Sequence, residues 1–168
     1  LFAYSSVENM GILAIGVGLG GKAAFAALLH AVNHSLCKAA LFFVAGNVLR
    51  AYGTTRAGDV TGVSRRLPIT GALLVVGVLA IGGSPPFGAF VSEYMIFNAA
   101  LATGHTALGV IFISLLAIAF LGMAMTVFSM TQGDGVPAGR EATLSVLPPL
   151  IFLAIVLLLG VYLPRVLS

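Results

Sequence analysis

The stretch "ITGALLVVGVLAIGGSPPFGAFVSEYMIFNAALA", residues 69–102, sets how many times this chain crosses a membrane. It is apolar on both sides of a centre rich in glycine and proline. A spanning helix needs roughly 20 mostly apolar residues. Read as two crossings, each half is short, about 15 residues or roughly 22 Å of helix. Read as one, it is long but interrupted. Pro85 and Pro86 have no N–H, so the carbonyls of Ile81 and Gly82 lose their helical partners. Freed backbone groups at membrane depth are tolerated only against protein or water. The sequence therefore favours one discontinuous helix, broken at residues 82–88 (Gly82, Gly83, Pro85, Pro86 and Gly88), with the break lining a polar cavity.

The rest of the chain fits a lipid environment. Of its 168 residues 60% are hydrophobic and only 8% charged, with mean hydropathy +1.12, against about 25% charged in an ordinary soluble domain. Further apolar runs cover 3–20, 23–51, 106–131 and 144–163, separated by "YGTTRAGDVTGVSRRLP" (52–68) and "QGDGVPAGREA" (132–142). The expectation is an all-α, polytopic transmembrane bundle of about five spans, forming a single membrane domain over residues 1–168. With five spans, Arg50, Arg56, Arg65, Arg66 and Arg140 share one side, against Lys22 and Arg165 on the other. The positive-inside rule makes the first side cytoplasmic. Six spans would merely exchange Arg140 and Arg165, so charge orients loop 52–68 without fixing the number of crossings.

Several functions are excluded. No basic run with interleaved aromatics supports nucleic-acid binding. The single cysteine, Cys37, makes no internal disulfide, and no Cys/His spacing suggests zinc. The N-terminus lacks a basic region and a cleavage site, so it is no signal peptide. A start at Leu1, already close to a span, suggests a fragment of something longer. "GVGLGG" (16–21) satisfies a dinucleotide fingerprint in form only, because the strand, the βαβ unit and the downstream acid are missing. Close helix packing and a tight turn explain its glycines.

Three polar positions remain. In "LLHAVNHSLCKAALFF" (28–43), His30, His34 and Lys38 recur every four residues. Positions four apart share a helix face, so these form one stripe through the middle of the second span. A lysine at the membrane centre costs about 2.5–3.5 kcal/mol. Snorkelling explains such a lysine near a helix end, but Lys38 lies far from both. Three titratable groups in register favour a proton relay, in which histidine both takes and releases protons near neutrality. Glu93 follows the break by about two turns, among Phe90, Tyr94 and Phe97. It reads either as a cap for a half-helix or as the carboxylate at the end of a proton wire. If it shares a cavity with Lys38, the two titrate as a coupled pair. Glu8 and Asn9, with Ser5 and Ser6, form a third cluster that a simple helix entrance explains equally well.

"LFAYSSVENMGI" (1–12), "HAVNHSLCKAALFFVAGNVLRAYGT" (30–54) and "LAIGGSPPFGAFVSEYMIF" (79–97) resemble, in this order, segments of the proton-conducting antiporter-like family. Its members are large membrane subunits of respiratory complex I, of Mrp sodium/proton antiporters and of group 4 membrane-bound hydrogenases. The variants "SVENMG" and "SPPFGAFVSE" point to the hydrogenase branch. The resemblance covers residues 1 to about 131, and the last span matches only as a hydrophobic helix. It implies a bundle of fourteen helices built from two inverted five-helix repeats, with this chain as helices ten to fourteen, the C-terminal part of a larger subunit. His30, His34 and Lys38 match the family's stripe on helix eleven, and Glu93 its acid or lysine on the broken helix twelve. Glu8-Asn9 falls where some relatives have a histidine. The glutamate and lysine of the first repeat have no counterpart here. The resemblance implies a non-catalytic, proton-pumping subunit of an oxidoreductase complex in the prokaryotic cytoplasmic (inner) membrane. Other membrane subunits and redox (hydrogenase) subunits are the implied partners and hold the metals; no cofactor is implied for this chain. The transported ion is the proton, with Na+ as the alternative.

Overall fold

A computed structural model describes residues 2–134 and 141–167, with side chains from Ser5 to Asp134 and from Glu141 to Tyr162. Arg140 therefore lies outside the described residues, as does the side chain of Arg165. Seven α-helices run through the described residues: α1 (Phe2–Leu19), α2 (Gly21–Tyr52), α3 (Val63–Arg66), α4 (Pro68–Ile81), α5 (Gly88–Ala102), α6 (Thr106–Thr131) and α7 (Thr143–Leu167). A single 3-10 turn (Ala57–Asp59) precedes α3. The polytopic helical bundle expected from hydropathy is what forms.

At 32 residues, α2 is long because nothing between Gly21 and Tyr52 interrupts it. It packs against α1, α4, α5 and α7, so it is the core of the bundle. Gly53, at φ 71, ends it in the left-handed conformation, its N–H bonded 2.8 Å to the Leu49 carbonyl. Glycine takes this conformation without steric cost. Gly20 and Gly21, at φ 71 and 51, form the tight turn between α1 and α2, and Gly16 lies directly against Ala27. The glycines of "GVGLGG" are thus packing and turn residues.

Residues 68–102 make one crossing, as the order of contacts along α2 shows. The Asn47 amide meets Thr70 at 3.4 Å, Leu41 packs on Gly77, Asn33 abuts Gly88, and His30 meets Ser92 at 2.9 Å. As α2 is read backwards from 47 to 30, its partners advance steadily from 70 to 92. A hairpin of two crossings would reverse that order at the break. With 14 and 15 residues, α4 and α5 measure roughly 21 and 22 Å, and neither spans a hydrocarbon core of about 30 Å alone. Both α6 and α7 run the full depth. Gly109, Phe120 and Gly133 of α6 and its C-terminal turn lie against Leu101, Gly82 and Thr61 in that order. On α7, Ser145 accepts from Asn47 at 2.9 Å, Phe152 stacks on Phe43, and Gly160 reaches the break. With the α4–α5 unit counted once, the bundle makes five passes of alternating direction, and three helices, Gly21–Tyr52, Thr106–Thr131 and Thr143–Tyr162, are by themselves long and apolar enough to cross a membrane.

The loops agree. The Gly62 N–H donates to the Gln132 carbonyl at 2.8 Å, and Arg65 pairs with Asp134 at 2.8 Å, so the 52–67 connection and residues 132–134 share one end. Arg50, Arg56, Arg65 and Arg66 gather there, with Lys22 at the opposite end. Val110, Ile111, Leu115, Ile118 and Leu121 stand exposed on α6. A patch of this size would be a liability in water, whereas lipid is a suitable solvent for it.

Candidate functional site

The break is built from its glycines. Gly83, at φ 69, occupies the left-handed position after α4, and the Ser84 N–H reaches back 3.0 Å to the Leu79 carbonyl. That six-to-one bond is a Schellman cap, and it ends α4 before Pro85 would. The Phe87 N–H then turns back to the Ser84 carbonyl at 3.1 Å, and α5 starts at Gly88.

Four elements pack against this irregular segment. Phe120 of α6 lies against Gly82, and the Glu93 carboxyl of α5 fills the place a side chain on residue 83 would take. Asn33 of α2 does the same at Gly88, and Gly160 of α7 lies against the backbone of Pro86, Phe87 and Gly88. Backbone freed from helical bonding is thus partly covered by protein: Gly88 is buried and Gly82, Gly83, Ser84 and Phe87 are half-buried, while Pro85 and Pro86 stand exposed; membrane depth tolerates such backbone only against protein or water. A cavity of about 260 Å³ opens beside it, lined by Gly82, Gly83, Ser84, Pro85, Glu93 and Phe120 among others.

The stripe is buried as a unit, with His30, His34 and Lys38 all on the core side of α2. The His30 and His34 ring centroids lie 6.2 Å apart, and the Lys38 ammonium sits 5.4 Å from the Phe42 ring centre. His30 Nδ1 lies 2.9 Å from Ser92 Oγ, which joins the stripe to the half-helix after the break. Glu93, only 8% exposed, follows Ser92 directly.

Phe90 and Tyr94 stack on each other, 37% and 54% exposed, and with Phe97 they line the same cavity as Glu93. The break and the neighbouring helices complete the burial of Glu93. Lys38 is not in the lining of that cavity. Glu8 is half-buried on α1, and Asn9 beside it is buried.

The sequence reading passed over Ser92, Asn33 and Glu141. Asn33 sits at the three-residue step between His30 and His34 on the same face, and that spacing was the available signal. Its Nδ2 donates to the Leu29 carbonyl at 3.0 Å. Its Oδ1, with Asn9 Oδ1 and His34 Nε2, completes a set of three buried atoms with no hydrogen-bond partner among the described residues. Atoms of this kind are what an internal water molecule binds. Glu141 accepts from the Ile69 and Thr70 N–H groups at 2.7 and 3.0 Å, and from the Thr70 hydroxyl. It caps the free N-terminal donors of α4 from across the bundle. Between this polar end and Lys38, α2 places fully buried Leu41 and Val44 against Leu74, Val78, Val127 and Val156. This apolar layer separates the stripe from the arginine-rich end.

A second hollow, about 400 Å³, lies at the end of α2 among Phe42, Val48, Leu49, Val60 and Arg56. It is mainly apolar and holds none of the stripe's titratable groups. Among the described residues, no group of three His, Cys, Asp or Glu side chains could hold a metal ion.

Comparison with known proteins gives consistent results. The family model described as NADH:quinone oxidoreductase/Mrp antiporter, transmembrane, matches residues 1–130. The chain is 38% identical over 168 residues to the hydrogenase-4 component F homolog of Methylacidiphilum infernorum, covering 98% of this chain and 34% of that protein. It is 32% identical over 133 residues to NADH-quinone oxidoreductase subunit N of Desulforudis audaxviator, covering 79% of this chain and 26% of that one. A chain of the Mrp complex from Dietzia sp. shares the fold, with TM-score 0.85 at 22% identity, covering 99% of this chain and 40% of the other. The chain thus spans about a third or less of the length of these two curated relatives.

Proposed function

Because the chain belongs to the NADH:quinone oxidoreductase/Mrp antiporter transmembrane family, we propose that it is the C-terminal part of a proton-translocating, antiporter-like membrane subunit. The complex it serves is a membrane-bound nickel–iron hydrogenase of the hydrogenase-4 or formate hydrogenlyase type, in the prokaryotic cytoplasmic membrane. Redox chemistry belongs to partner subunits; this subunit moves protons. It needs no cofactor of its own for that.

The observation that carries the reading is the meeting of the histidine stripe with a broken helix at membrane depth. Ionisable residues inside a membrane are costly, and by default they mark an ion path. Here three of them share one face of α2, the Ser92 hydrogen bond links them to α5, and a buried carboxyl sits in the break. His30, His34, Lys38, Glu93 and Glu8 carry the proton, with Asn9 as a polar bridge.

The test is transport by the full-length subunit in its complex. Lys38→Ala and His34→Ala should each lower proton pumping at least tenfold per redox turnover, with assembly intact. Normal pumping in both would reduce the chain to a membrane anchor for a soluble enzyme. The second reading is a complex I type subunit, favoured by the match to subunit N. A gene neighbourhood encoding a nickel–iron large subunit supports the first, and a full NADH module the second. Exchange of Na+ for protons without any redox partner would support an Mrp-type antiporter.

A further inference from the structure

We infer that Ser92 is a positioning residue that makes His30 a one-port proton site, a store at the end of the stripe rather than a link within it. The inference rests on the relay reading above. Ser92 and His30 are both buried, Oγ lies 2.9 Å from His30 Nδ1, and it also lies 2.8 Å from the Ala89 carbonyl oxygen. A hydroxyl has one hydrogen to give. A carbonyl only accepts, so at the Ala89 contact the hydroxyl is the donor, the usual back-bond of a helical serine. Oγ then offers a lone pair to His30, and Nδ1 must carry the hydrogen. The second nitrogen, Nε2, is left as the base.

Proton bookkeeping follows. An arriving proton forms an N–H bond at Nε2 and converts the imidazole to imidazolium, with no change in electron count. Loss through Nδ1 would require Ser92 to accept that proton and pass its own to the Ala89 carbonyl, which leads nowhere. The proton therefore leaves by Nε2, the nitrogen through which it came. His34 and Lys38 form the through path, and His30 holds charge beside it. Since Ser92 immediately precedes Glu93 on α5, any shift of that half-helix moves the His30 anchor and the Glu93 carboxyl together.

The experiment is ¹⁵N–¹H spectroscopy of the full-length subunit, labelled with ¹⁵N-histidine in lipid bilayers, with the His30 signal identified by its loss in His30→Gln. Neutral His30 should carry its hydrogen on Nδ1. In Ser92→Ala that preference should fall about fivefold, the effect of one ordinary hydrogen bond, and Ser92→Thr should restore it. A hydrogen on Nε2 in the wild type would overturn the inference whatever the transport result. Wild-type transport in Lys38→Ala and His34→Ala would overturn the relay, and the storage role with it, while the tautomer measurement still reported whether Ser92 anchors the ring.

Discussion

Gly83→Ala should be among the most damaging single-methyl changes in the bundle. Residue 83 sits at φ 69, and an L side chain there costs roughly 1–2 kcal/mol through contact with its own carbonyl. The added methyl would also occupy the space of the Glu93 carboxyl. Forcing extra volume into a packed site costs typically about 1–3 kcal/mol, so the total is about 2–5 kcal/mol. In a Glu93→Ala background the second part disappears and only the backbone cost of about 1–2 kcal/mol remains. The difference is the coupling between the two positions. The assay is thermal or denaturant-induced unfolding of the full-length subunit in detergent, measured as a four-member cycle. Gly18→Ala, which meets open space at an ordinary φ, is the control and should be nearly neutral. If Gly83→Ala is as mild as the control, the Schellman geometry is wrong. If its cost is the same with and without Glu93, the carboxyl does not sit in the break.

Gly160→Ala should cost about 1–3 kcal/mol, because the methyl meets the backbone of Pro86 and Phe87, which cannot rotate away; Gly122→Ala on α6 meets nothing and serves as its unfolding control. Glu141→Ala should cost about 1–2 kcal/mol, as loss of a helix cap does, and hydrogen exchange should quicken first at the Ile69 and Thr70 amides. Arg65→Ala should leave the unfolding midpoint unchanged, since its pair with Asp134 is exposed to solvent. Single cysteines at Gly58 and Asp134 should react with membrane-impermeant reagent from the same side; labelling from opposite sides would restore six spans.

Hydropathy alone located the helices because lipid-facing residues must be apolar whatever they pack against. The run 106–131 is α6 to the residue, and 23–51 differs from α2 by two positions at the start and one at the end. The break was legible for a local reason: prolines without N–H groups and a glycine that can turn left-handed are visible in any context. The stripe was legible because α2 is uninterrupted, so spacing maps directly onto one face. Contacts between elements were not legible. Phe90, Tyr94 and Phe97 do line the cavity of Glu93, but its contact with Gly83 depends on where the break lies, which spacing along one helix does not give. Ser92 looked like an ordinary helical serine until α5 was set against His30. Glu141 looked like a loop charge, and only the packing of α7 on α4 brings it to Thr70.

Proton uptake by inverted membrane vesicles carrying Glu93→Gln in the intact complex bears most directly on this reading. The substitution keeps the shape in the break and removes the titrating group. The expected result is a fully assembled complex whose redox turnover continues while proton uptake falls at least tenfold, with Glu93→Asp retaining part of the activity. Uptake at the wild-type rate in Glu93→Gln would show that Glu93 only packs against Gly83, and that the path proposed through the break does not exist.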